Sequence, residues 1–181
     1  IEAGMSNCAF VTGRGKRAIA DHFDTSYELE HQIAGSTKEQ HLEGIREVME
    51  RGVFTTVRQR SMRGLGHAIL TGEPLIGNEP FGVVLSDDLC LNSGCAGVLT
   101  KMRELYEEFQ CSIVAVQAVS PAEISSYGAV AGSTERDGLI RVSQMVEKPT
   151  AEQAPSNVAV IGRYILTPDI FDILRDVAPD D

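Results

Sequence analysis

The sequence predicts an α/β fold with a mixed, mainly parallel sheet flanked by helices and a β-rich lobe in its C-terminal third. Three observations carry that expectation. Strand-like and helix-like stretches alternate from residue 8 to residue 118, the apolar run Phe81-Gly82-Val83-Val84-Leu85 ends abruptly in Ser86-Asp87-Asp88, and after Pro121 the pattern changes to strands with short polar links. The apolar run is too short to span a membrane, and its composition suits a central parallel strand covered on both faces. Chemistry in open α/β sheets sits beyond the carboxyl ends of strands. Asp87 and Asp88 therefore fall where a ligand or divalent cation is expected, and one aspartate there is the usual holder of Mg²⁺ beside a phosphate. The plain alternative for the pair is a helix cap, a position Asp favours.

Taken in order, Ile1-Glu2-Ala3-Gly4-Met5 has the look of a helix end closed by glycine, followed by the strand Cys8-Ala9-Phe10-Val11. The next segment, Thr12-Gly13-Arg14-Gly15-Lys16-Arg17, lacks the spacing with which a P-loop cradles phosphate, so it reads as a βα turn. Short helices are expected over 18–23 and 27–33, with Asp24-Thr25-Ser26 supplying caps between them. His22 and His31 lack ligand-spaced partners, and zinc needs three or four converging ligands, so neither is assigned to a metal. Gly35-Ser36-Thr37 caps a helix over 38–51 with Leu42, Ile45, Val48 and Met49 on one face, which is packing and not chemistry.

The strand Phe54-Thr55-Thr56-Val57 runs into a basic glycine loop, Arg58-Gln59-Arg60-Ser61-Met62-Arg63-Gly64-Leu65-Gly66-His67, and then a helix over 68–72. Gly64 and Gly66 let backbone amides approach a flat or anionic ligand, and Gln59 offers a donor and an acceptor to a base edge. His67 after such a turn reads most simply as a ring donating to a backbone carbonyl. Consecutive βα units would present this loop and Asp87 on the same sheet edge. A helix over 98–109 turns Met102, Leu105 and Tyr106 inward, and a strand covers 112–118. Strands then follow at Tyr127-Gly128-Ala129-Val130, 139–147 and 158–164, and a last helix covers 169–175 after Thr167-Pro168.

The totals narrow the function classes. A chain of 181 residues fits one ordinary domain, and 43% hydrophobic with 23% charged residues are ordinary globular values. A net charge of -10 argues against general nucleic-acid binding, although a local basic site for phosphate fits within an acidic molecule. Cys8, Cys90, Cys95 and Cys111 form no CxxC pair, and the amino end has no basic-then-apolar signal. A soluble, cytoplasmic protein with reduced thiols is expected, with no membrane span and no zinc.

Four blocks in fixed order resemble one family. They are Gln59 with Gly64-Leu65-Gly66-His67-Ala68, then Leu85-Ser86-Asp87-Asp88, then Tyr127-Gly128, and then Val146-Glu147-Lys148-Pro149 followed by Ser156-Asn157-Val158-Ala159-Val160-Ile161-Gly162-Arg163-Tyr164. Together they are similar to the sugar-1-phosphate nucleotidylyltransferases. His22-Phe23-Asp24-Thr25-Ser26-Tyr27-Glu28-Leu29-Glu30 and the glycine block resemble the bacterial UTP:glucose-1-phosphate uridylyltransferases among them. The resemblance covers nearly the whole chain and implies a Rossmann-like sheet. Two family features, a glycine-rich triphosphate loop and a second metal-binding aspartate, have no match within the sequence. The chain is therefore expected to be a single nucleotidyltransferase domain over 1–181, incomplete at both ends, with a nucleotide-binding part over 1–120 and a sugar-binding part over 121–181.

The resemblance also implies roles. Gln59 would pair with uracil and Gly64 would offer its backbone to the same base. Asp87 would hold Mg²⁺, whereas the family pattern does not extend to Asp88. Glu147 would accept hydrogen bonds from glucose hydroxyls, Lys148 would bind the sugar phosphate, and Gly128 and Val160 would contact glucose through their backbones. Asp87 and Lys148 are the catalytic candidates. The implied reaction has the phosphate of glucose 1-phosphate attack the α-phosphorus of UTP, giving UDP-glucose and pyrophosphate by positioning and charge neutralisation, without a protein nucleophile. A homo-oligomer, dimer or tetramer, is implied as well. The alternatives are a catalytically silent nucleotide-sugar-binding paralogue, and a relative using another sugar 1-phosphate or dTTP. A hydride-transferring Rossmann enzyme is disfavoured, because Gly13-x-Gly15 is followed by no third glycine at the fingerprint spacing.

Overall fold

Parallel strands need a crossover between them, and the first two strands have one. In the computed structural model, which describes residues 1–91 and 97–177, β1 (Asn7–Thr12) and β2 (Val53–Arg58) pair in parallel, with Asn7 opposite Val53 and Thr12 opposite Arg58. The connection holds α1 (Arg17–Asp21), α2 (Tyr27–Ile33) and α3 (Gln40–Arg51). The apolar stripe of α3 is half-buried, and Arg46 on the same helix donates to Glu30 of α2 at 2.6 Å. Phe10, Phe23 and Phe54 cluster at centroid distances of 4.8 to 5.9 Å, which ties β1 and β2 to the turn that follows α1.

The helix after β2 is longer than expected. Instead of covering 68–72, α4 runs from Gly64 to Ile76 and contains Pro74. Proline removes one intrahelical hydrogen bond, but here it lies in the last turn, so the helix ends soon after it without losing its body. Gly72 sits 3.8 Å from Val11 by the position its Cβ would take, so α4 packs closely on β1. The last helix, α6 (Ile170–Asp176), lies against α4, where Arg175 binds Glu73, and Phe171 stacks on Phe81 at 5.1 Å. These parts form one compact unit, residues 1–81 together with the segment from Thr167 onward.

The second unit is Gly82–Leu166. Its organising strand is β7 (Val158–Leu166), flanked by β4 (Ile113–Ala118) and β5 (Ala129–Arg136), both antiparallel to it. β3 (Phe81–Val84) also neighbours β7, in the order β3-β7-β5-β6. Strand β6 (Leu139–Val146) pairs with β5 as a hairpin whose Arg136–Leu139 closing pair leaves the two-residue loop Asp137-Gly138. Gly138 has φ of 72°, the left-handed value such loops require. α5 (Val98–Phe109) buries Met102, as its periodicity predicts. The core gathers where Ile124, in a 3-10 turn at Ile124–Ser126, meets Ala129 and Ala159.

The α/β class is as the sequence predicts, with parallel pairing at β1 and β2 and antiparallel pairing of β4 and β5 with β7. The apolar run of β3 is less covered than expected, since Val84 is 53% exposed. β3 stands at the end of the strand order, so among the described residues it is paired on one side only. Among the described residues no helix is long and apolar enough to cross a membrane. Cys8, Cys90 and Cys111 are free thiols, and burial pushes the Cys8 thiol up from its ordinary value, away from reactivity; Cys95 lies outside the described residues.

Candidate active site

The glycine loop begins where β2 ends. Gln59 continues the parallel ladder by donating its backbone N–H to the Thr12 carbonyl at 2.9 Å, which anchors the loop at its first residue. Gly64 opens α4 with φ of 78°, a conformation that favours glycine. A Cβ on Gly66 would come within 2.8 Å of Leu174 Cδ2, so this second glycine admits α6 against α4. The Gln59 side chain folds back over the turn: Nε2 donates to the Gly64 carbonyl at 3.3 Å and lies 2.8 Å from His67 Nδ1. Among the described residues the His67 ring thus meets a side-chain amide, where the sequence suggested a backbone carbonyl.

The two aspartates after β3 have different surroundings. Asp88 Oδ2 accepts the Gly162 N–H at 2.6 Å, and the Asp88 carbonyl accepts Arg163 Nη2 at 2.5 Å. Arg163 Nη1 reaches the Leu85 carbonyl at 3.0 Å, closing a latch between the β3 exit and β7. Gly162 has no room for a side chain, since a Cβ would lie 2.8 Å from Leu85 Cβ. Asp87 is exposed, and among the described residues nothing bonds its carboxylate. Asp88→Ala is therefore expected to lower unfolding free energy by about 1.5–3 kcal/mol, the usual worth of a hydrogen bond to a charged group. Asp88→Asn keeps an acceptor oxygen and should lose less, with urea denaturation reading both.

The sugar-binding candidates lie in the same unit as the aspartates. The Gly128 carbonyl accepts the Val160 N–H at 2.7 Å, and the Tyr127 carbonyl accepts the Lys148 N–H at 3.1 Å, so two pairings bring the start of β5 to β7 and to the end of β6. A Cβ on Gly128 would stand 3.1 Å from Glu147 Oε2 and 3.6 Å from Val160 Cγ2. Gly128, Glu147 and Val160 therefore converge, with Lys148 next along the chain. Lys148 has φ of 40° and precedes buried Pro149, a left-handed backbone that a non-glycine residue adopts at a cost. The sequence singled out neither the latch arginine Arg163 nor Tyr164. The Tyr164 phenol is raised above its ordinary value, first by burial and then by the charges of Glu147 and Asp88, which places it within electrostatic range of both. For Arg163 and Tyr164 the available signal was their place in the block that runs on from Val160 through Gly162.

Gln59 and Gly64 belong to the first unit, while Asp87, Gly128, Glu147, Lys148 and Val160 belong to the second. Among the described residues no cluster of three or more His, Cys, Asp or Glu could hold a metal ion alone. One unengaged carboxylate does suit Mg²⁺, which keeps several waters and shares its shell with substrate phosphates.

Comparison with known proteins places the nucleotidyl transferase family over residues 9–181. A UTP--glucose-1-phosphate uridylyltransferase of Pseudomonas aeruginosa is 58% identical over 179 residues, which are 99% of this chain and 64% of that protein. A solved apo UDP-glucose pyrophosphorylase superposes with a TM-score of 0.95 at 56% identity, covering 99% of this chain and 66% of that one. A UDP-glucose pyrophosphorylase complexed with UDP-glucose superposes with a TM-score of 0.90 at 52% identity, covering 99% of this chain and 65% of that one. The chain thus spans just under two thirds of the length of these relatives.

Proposed function

The chain belongs to the nucleotidyl transferase family, and from that premise we propose that the full-length protein forms UDP-glucose and pyrophosphate from UTP and glucose 1-phosphate. The observation that carries the reading is the convergence of Gly128, Glu147 and Val160, with Lys148 beside them, at the residues the family resemblance assigns to the sugar. The kinship with UTP:glucose-1-phosphate uridylyltransferases supports the choice of substrates. In this reading residues 1–120 serve the nucleotide and residues 121–181 the sugar.

The roles are those the family resemblance implies, and each suits the chemistry of the group that would play it. Glu147 accepts hydrogen bonds from glucose hydroxyls, and the backbones of Gly128 and Val160 fix the ring. Lys148 binds the phosphate of glucose 1-phosphate and offsets its repulsion from the triphosphate it attacks. Gln59 and the Gly64 backbone hold uracil. Asp87 would hold Mg²⁺, which when bound supplies charge neutralisation between the phosphates. The protein works in the cytoplasm as a homo-oligomer, a dimer or tetramer, without nucleic acid or membrane partners.

Pyrophosphate release by the full-length protein tests the proposal. UTP and dTTP should turn over with glucose 1-phosphate at least about tenfold faster than ATP in kcat/KM, because one lost base contact is worth about 1–3 kcal/mol. Preference for ATP would overturn the reading of the Gln59 loop. Binding of UDP-glucose without any pyrophosphate release would identify a silent paralogue instead.

A further inference from the structure

We propose that His67 sets nucleotide specificity by locking the Gln59 amide so that it presents only an acceptor to the base, which favours uracil over cytosine. The inference rests on the proposed uracil-binding role of Gln59 and deepens it.

A side-chain amide can pair with either pyrimidine if it is free to turn over. Its oxygen suits the N3–H of uracil, and its NH₂ suits the bare N3 of cytosine. The Gln59 amide is not free. One of its terminal atoms lies 3.3 Å from the Gly64 carbonyl oxygen, and a carbonyl can only accept, so that atom is the nitrogen. The same nitrogen lies 2.8 Å from His67 Nδ1. It has two protons, and the two acceptors take one each. His67 Nδ1 must then be the unprotonated ring nitrogen, with the proton on Nε2. Both donors of Gln59 are consumed within the protein, and among the described residues no donor reaches Oε1.

What remains for a base is a lone acceptor. It accepts from the N3–H of uracil and faces the lone pair of cytosine N3, a repulsive contact. Thymine has the same N3–H as uracil and passes the same test. Discrimination by repulsion needs the amide to stay put, and Gly64 alone holds one of its two protons at a long 3.3 Å. The shorter contact to His67 supplies the remaining restraint. His67 is well placed to give it. The residue is half-buried in the first turn of α4, and Thr71 Oγ1 donates to its carbonyl at 2.7 Å. His67 is therefore a positioning residue, acting on the base through Gln59.

The test uses the full-length protein and the ratio of UTP to CTP, in kcat/KM for pyrophosphate release and in nucleotide affinity by calorimetry. His67→Leu should lower the ratio by at least about tenfold, the scale of one hydrogen-bond contact, with CTP gaining as UTP loses. His67→Asn places an oxygen acceptor close to the position of Nδ1 and should restore most of the ratio. Equal loss for both nucleotides in His67→Leu, or no rescue by Asn, would overturn the proposal, because a merely structural histidine cannot tell the bases apart. Nitrogen-15 spectra of the unaltered protein give a reading independent of any variant: His67 protonated on Nε2 supports the lock, and protonation on Nδ1 overturns it. Failure of the underlying function looks different. There the unaltered protein neither binds nor uses UTP, and Gln59→Ala changes nothing.

Discussion

Asp87→Asn is expected to lower turnover by about a thousandfold or more while the melting temperature stays within about 2 °C of the unaltered protein. Both halves follow from its surroundings. The carboxylate is exposed at the end of β3, and nothing among the described residues bonds it, so exchanging one oxygen for an amide nitrogen breaks no protein contact. The volume is also unchanged. What disappears is the charge that would hold Mg²⁺ against the phosphates, and electrostatic help of that kind is worth several kcal/mol, each ~1.4 kcal/mol being a decade in rate. Asp88→Asn supplies the contrast, since Asp88 Oδ2 is already bonded to the Gly162 N–H at 2.6 Å and is not open to a cation in the same way. Steady-state turnover and thermal melts on both variants decide the matter. Equal loss of activity in the two, or none in Asp87→Asn, would remove the metal from Asp87.

Replacing Lys148 should separate the two substrates. Lys148→Ala is expected to lower kcat/KM for glucose 1-phosphate by about a hundredfold, with the KM for UTP moving by no more than about twofold, because in the proposed reaction the ammonium would neutralise the attacking phosphate. The backbone offers a second, independent readout. At φ of 40° and before proline, Lys148 occupies a conformation that costs about 1–3 kcal/mol for a residue with a Cβ. Lys148→Gly relieves part of that cost, offset by the greater freedom of glycine in the unfolded chain, so stability should hold or rise by about 1 kcal/mol as activity falls. Opposite movement of stability and activity is what a strained functional residue predicts. A loss confined to UTP would put this lysine on the other substrate.

Much of the fold was legible in the chain because its signals are local. Helical spacing placed α3 and α5, and the apolar runs placed β1, β2, β3 and β7, within a few residues of where they stand. The length of β5 and its hairpin with β6 were missed: strand patterning pointed only to Tyr127-Gly128-Ala129-Val130, and the turn signal Asp137-Gly138, which closes the hairpin, went unread. α4 was read short because Gly64, Gly66 and Pro74 are weak helix residues in isolation. In the structure Gly64 makes the entry turn, Gly66 admits α6, and Pro74 falls in the last turn, so none of the three interrupts the helix.

By itself the sequence determined the α/β class and the chemistry available in each block, because residue type and strand-end position are written along the chain, while Gln59, Asp87, Glu147 and Lys148 became candidates together through the resemblance of four blocks to one family. Only the tertiary structure decided what each side chain is free to do. Asp87 and Asp88 are identical neighbours in sequence, and they part company because β7 brings the Gly162 N–H to one of them and not the other. Gln59 and His67 are eight positions apart, and the turn at Gly64 folds the first back onto the second. Lys148 shows no sign of its left-handed backbone until β5, β6 and Pro149 hold it there. A hydrogen bond depends on which partner arrives within about 3 Å at the right angle, and that is set by packing across the fold and not by spacing along the chain.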